Sequence, residues 1–77
     1  MKTEPPPGAV QVMAEVGRFV EAWGYPPSIR QLATELGLSA AGVKYHLDAL
    51  RDLGMVTWEP GQSRTVRLTA DGERAIR

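Results

Sequence analysis

Apolar residues recur along the first third of the chain at helical spacing. In AVQVMAEVGRFVEAWG, residues 9–24, Val12, Val16, Phe19, Val20 and Trp23 fall at i, i+4, i+7, i+8 and i+11, which is one face of a helix. Gly24 suits the position just past a helix end, and Pro26-Pro27 bar continuation. A second stripe, Ile29, Leu32, Ala33 and Leu36, follows Ser28, with Gln31 three residues on. Ser28 and Gln31 read as a capping box opening a short helix that Gly37 ends. Ser39 caps a third helix whose inner face carries Val43, His46, Leu47, Leu50 and Leu53, and Gly54 closes it. Leu38, the single apolar residue in the turn, is expected to be buried.

After Gly54 the period drops from 3.6 to 2. In MVTWEPGQSRTVRLT, Val56 and Trp58 share one face, as do Val66 and Leu68, and Pro60-Gly61 marks the turn between the two runs. This predicts a β-hairpin with Trp58 in the core and Thr65 and Arg67 facing out. Residues 69–77, TADGERAIR, form either a short helix capped by Thr69 or a frayed end. Residues 1–8, with three prolines and a glycine, are expected to be a disordered Pro-rich tail ahead of one domain spanning 9–77. The expected fold is mainly α with a small β-hairpin.

Composition narrows the function. The absence of cysteine excludes disulfides and any cysteine-based metal site or catalysis. No apolar run approaches the ~20 residues that span a bilayer. The opening MKTEPPPG also lacks the apolar stretch of a signal peptide, so the chain reads as cytoplasmic. There is one histidine, no Gly-rich phosphate loop and no carboxylate pair in a pocket context, so neither an enzyme nor a bound cofactor or metal is expected. His46, between Val43 and Leu50, reads as a core histidine hydrogen-bonded to backbone. Nine basic residues balance nine acidic ones. That balance argues against a polybasic nucleic-acid binder and leaves room for a local patch.

Two short helices joined around Gly37 make a helix-turn-helix. Ala33 must be small where the helices cross, Gly37 suits a left-handed turn, and Val43 plugs the corner from the second helix. A hairpin following at once makes a winged helix-turn-helix of three helices plus wing. Winged helices also serve as protein-interaction modules, so binding to RNA polymerase or another regulator stands as the alternative to DNA binding.

Residues 24–68, GYPPSIRQLATELGLSAAGVKYHLDALRDLGMVTWEPGQSRTVRL, resemble the N-terminal DNA-binding domain of LexA-type SOS repressors. The matching pieces are G-Y-P-P-S before the second helix, A-x-x-x-G-L at the turn, H-L-x-x-L in the third helix, the Gly54 stop, and S-R-x-V-R-L in the second wing strand. The resemblance implies a repressor that binds a palindromic operator in double-stranded DNA as a homodimer. Its recognition helix enters the major groove and its wing touches the backbone. It also implies Ser39, Ala40, Ala41, Gly42, Lys44 and Tyr45 as groove-facing positions and Arg64 as the wing arginine. The segment from Gly37 to His46 is one residue shorter than the family's usual form, so base preference does not transfer. Family members continue into a self-cleaving Ser-Lys protease domain, whereas this chain ends at Arg77. LTADG is similar to the terminal helix of other winged-helix regulators, so the chain reads as either an excised domain or a free-standing small regulator, with this segment favouring the second.

The near-absence of charge at Ala40, Ala41 and Gly42 fits such a role. Small side chains allow the helix backbone close to the groove, N–H groups at a helix start can bond a phosphate, and alanine methyls can meet thymine methyls. Lys44 and Tyr45 supply reach. Arg30, Arg51, Arg64 and Arg67 stand around this face, with Ser28 at the start of the second helix completing the DNA-facing set. Asp48 and Asp52 fall further along, where the helix leaves the groove. Helix 1 and residues 69–77 are the candidate pairing surfaces.

Overall fold

The computed structural model describes residues 7–76. The order is α1 (Pro7–Trp23), α2 (Ile29–Leu36), α3 (Ala40–Asp52), β1 (Val56–Thr57), β2 (Arg67–Leu68) and α4 (Ala70–Ala75). The expected tail over residues 1–6 lies outside the described residues. Helix α1 begins at Pro7, inside the stretch read as tail. Proline is suited to a first turn, where its missing N–H would have no intrahelical acceptor. Gly8 in the same turn packs on α3: a Cβ there would stand 2.9 Å from the His46 ring.

The three helices enclose one core of Ala9, Val12, Met13, Val16, Leu32, Ala33, Val43, Leu47 and Leu50, closed at the hairpin end by Met55, Val56 and Val66. Ala9 and Met13, which the apolar stripe of α1 did not include, are fully buried, because the face of α1 meets both α2 and α3 and is therefore broad. Trp23 departs from expectation in the opposite sense and is 63% exposed. It borders a shallow concavity shared with Arg30, Gln31, Thr34 and Glu35 of α2 and does not enter the core. Trp23 packs instead on Phe19, whose ring also meets Tyr25 edge-on at 5.7 Å.

The local signals at α2 are borne out. Ser28 Oγ accepts from Gln31 N, and Gln31 Oε1 accepts from Ser28 N, completing the capping box. Gly37 is left-handed at φ 67°. Leu38 is exposed rather than buried. Its N–H closes α2 on Ala33 O at 3.0 Å, and a backbone committed to that turn leaves the side chain at the surface.

The hairpin is antiparallel, with Val56 opposite Leu68 and Thr57 opposite Arg67, so the ladder is only two residues per strand. Beyond it the wing is held by side chains: Glu59 N donates to Thr65 Oγ1, and the Thr65 hydroxyl donates to Gln62 O. Trp58 is half-buried against the core. Residues 70–75 resolve to the helical alternative. Thr69 caps α4 through Gly72 N and donates its hydroxyl to Gly54 O. Gly72 is buried, and a Cβ there would lie 2.1 Å from Met55 O. No helix among the described residues is long and apolar enough to cross a membrane.

Candidate nucleic-acid interface

Helix α3 divides by periodicity. Val43, Leu47 and Leu50 are fully buried and anchor it to α1 and α2. Ala40, Ala41, Lys44, Tyr45 and Asp48 turn outward and are exposed. The tip is therefore displayed on a helix whose opposite face is locked into the core. Ser39 caps it with extended backbone, its Oγ accepting from Gly42 N at 3.0 Å. A Cβ on Gly42 would come 3.3 Å from that oxygen, so glycine leaves the cap undisturbed. The first-turn amides of Ala40 and Ala41 have no intrahelical acceptor and point out of the helix start.

Tyr45, at 70% exposure, is the most open large side chain on this surface and rests edge-on against His46 at 5.6 Å between ring centres. His46 itself corrects an expectation. Its Nδ1 is buried and finds no hydrogen-bond partner among the described residues, backbone or otherwise. The ring is wedged between α3 and Gly8 and serves as packing.

The cations differ in their settings. Arg30 is exposed on the first turn of α2, and Ser28 beside it is half-buried with its side chain engaged in the cap. Arg30 lines a shallow concavity with Phe19, Trp23, Tyr25, Gln31, Thr34 and Glu35. Lys44 is exposed on α3. Arg51 lies over the Trp58 ring, 4.5 Å from its centre. Arg64 reaches back from the wing to α2, donating from Nη1 to Gln31 Oε1 at 2.8 Å, with its guanidinium 5.6 Å from the centre of the Tyr25 ring. Arg67 sits on the hairpin's outer side. There it shares one concavity with Arg64 and Trp58 and another with Gly17, Arg18, Glu21 and Glu73 of α1 and α4. Arg18 also lines a concavity with Gln11, Glu15 and Leu36. It is paired with buried Glu15, whose hydrogen bond and charge raise the guanidinium above its ordinary range. The pairing of Arg64 with Gln31 carried no local signal, since thirty-three residues separate them.

A three-helix body whose second and third helices meet at a left-handed glycine turn, followed at once by a short antiparallel hairpin, is a winged helix-turn-helix domain. Within that class the chain belongs to the LexA DNA binding domain family, whose model matches residues 9–65. It is 35% identical to the LexA repressor of Citrifermentans bemidjiense over 66 residues, 84% of this chain and 33% of that protein. Against the LexA repressor of Geotalea uraniireducens the identity is 38% over 63 residues, 80% of this chain and 31% of that one. Against that of Marinobacter nauticus it is 42% over 59 residues, 75% and 29%. The chain spans about a third of the length of the curated relatives it matches.

Proposed function

We propose that the protein binds duplex DNA sequence-specifically and represses transcription, inserting the N-terminal turn of α3 in the major groove with the wing along the backbone. The observation that carries this is the α3 tip. It is exposed, capped and nearly free of side-chain bulk, and it is presented by a helix-turn-helix in a chain of the LexA DNA binding domain family. Ala40, Ala41 and Gly42 let the backbone approach, and Ser39 and the first-turn amides face phosphate. Tyr45 and Lys44 reach base edges or backbone, and Ser28 and Arg30 meet the backbone from α2. Arg51 and Arg67 complete the basic surround of the wing. One such module buries only about 600–1,000 Å² on DNA, so two copies on a palindromic operator recover affinity. Such a regulator works on the chromosome and belongs in the cytoplasm.

Selection of bound duplexes from a random pool tests the reading. The expected result is a palindromic consensus with half-sites about one helical turn apart. Lys44→Ala is expected to weaken binding to that consensus, and Asp71→Ala, on the exposed side of α4, to leave it unchanged. A pool that yields no consensus at low salt rejects it. A second reading, docking on RNA polymerase or another regulator, draws on the exposed aromatics Trp23 and Tyr25 beside Phe19. It is selected if a partner is captured by the wild-type chain and lost in Trp23→Ala while no duplex is protected.

A further inference from the structure

We propose that Arg64 is a positioning residue: it latches the wing to the start of α2 and so sets the angle between wing and recognition helix, without itself contacting DNA phosphate. The inference rests on the DNA-binding reading above for its consequence and on the geometry of the free chain for its cause.

The wing needs such a device. Its ladder is two residues per strand, too short to orient the loop between Trp58 and Val66. The loop's own ties through the Thr65 hydroxyl, from Glu59 N and to Gln62 O, close the loop upon itself and do not fasten it to the helices. Side chains provide that fastening at both limbs. At the entry, Trp58 is packed on the core and covered by Arg51 of α3. At the exit, Arg64 spans to α2, where Gln31 Oε1 accepts both Ser28 N at 2.9 Å and Arg64 Nη1 at 2.8 Å. One oxygen thus serves the capping box and the latch together. The Tyr25 ring gives the guanidinium a second contact, of cation–π kind.

The backbone points the same way. Arg64 is the only non-glycine residue with positive φ among the described residues, at 62°. A left-handed arginine persists where the surrounding contacts over-determine it. The guanidinium is a planar fork, so a lysine of equal charge reproduces neither the bond to Gln31 nor the stacking on Tyr25.

The test separates latch from phosphate contact, and both from failure of the DNA reading. Wing residues 59–65 are followed by amide hydrogen exchange in the full chain without DNA, in the wild type, Arg64→Ala, Arg64→Lys, Gln31→Glu and Tyr25→Leu. Affinity and salt slope are then measured on the selected duplex. The latch predicts faster wing exchange in Arg64→Ala, Arg64→Lys and Tyr25→Leu, with α3 protection unchanged, and wild-type or slower exchange in Gln31→Glu, which keeps the cap and adds charge to the latch. It predicts that Arg64→Ala and Arg64→Lys weaken DNA binding alike, roughly fivefold, as expected for loss of an exposed charge-assisted bond. The wild-type salt slope is retained. Lysine restoring affinity, or a slope shallower by about one in Arg64→Ala, assigns Arg64 to phosphate and overturns the proposal. Wing exchange unaltered by Arg64→Ala overturns it whether or not any duplex binds.

Discussion

Two glycines, Gly8 and Gly72, show how a single missing Cβ positions an element. Both lie inside helices, where alanine is favoured by about 1 kcal/mol. At Gly8 the obstacle is the His46 ring at 2.9 Å, a side chain that can give. At Gly72 the obstacle is the Met55 carbonyl at 2.1 Å, and backbone cannot move without dragging β1 from α4. Gly8→Ala is therefore expected to be close to neutral, because propensity offsets a small ring shift. Gly72→Ala is expected to cost about 1–3 kcal/mol as an overpacking change that propensity does not cover. Chemical denaturation of the two variants checks the contrast; equal midpoints would mean that α4 does not seat on Met55. Residue identity announced both glycines, but which neighbour each admits depends on elements distant in the chain.

At the scale of the element, the caps were the most legible feature. Ser28, Ser39 and Thr69 each accept from the amide three residues on, because a hydroxyl in an extended cap residue satisfies a donor that the helix itself leaves unpaired. Ser39→Ala is expected to cost about 0.5–2 kcal/mol and to raise hydrogen exchange at the Gly42 amide while α1 stays protected. If Gly42 exchange does not change, the tip of α3 is held by something other than its cap. The stripes on α2 and α3 were readable for the same local reason: 100° per residue places Leu32 and Ala33, or Val43, Leu47 and Leu50, on one side. Where a stripe runs past the core, periodicity misleads. Trp23 continues the α1 pattern faithfully and still faces water, because it borders an open concavity against α2 and lies outside the core. The length of the wing strands was equally hidden, because alternation in MVTW and TVRL continues where the ladder has already stopped.

The whole molecule is neutral, and its surface is divided. Cations near the α3 tip and wing are few, and Arg18 is paired with Glu15 of its own helix. Binding to DNA through this surface is consequently expected to depend on shape and base contact more than on bulk charge. Among the proposed contacts, Arg30, Lys44, Arg51 and Arg67 bound the phosphate count. The fall of log K with log salt is expected to be no steeper than about −0.9 for each of them per protomer. Titrations of the selected duplex across a salt series read this directly. A much steeper slope would show that cations elsewhere on the chain do the binding.

The chain's order of residues determined by itself the first three helices, the caps at Ser28 and Ser39, the glycine turn and the switch from helical to strand period, because each is set by neighbours within four or five positions. Tertiary structure alone decided that Leu38 and Trp23 face solvent, that His46 Nδ1 is enclosed without a partner among the described residues, and that Arg64 closes on Gln31 and Tyr25. Those outcomes depend on where one element ends against another, a relation that no local pattern of apolar and polar residues encodes.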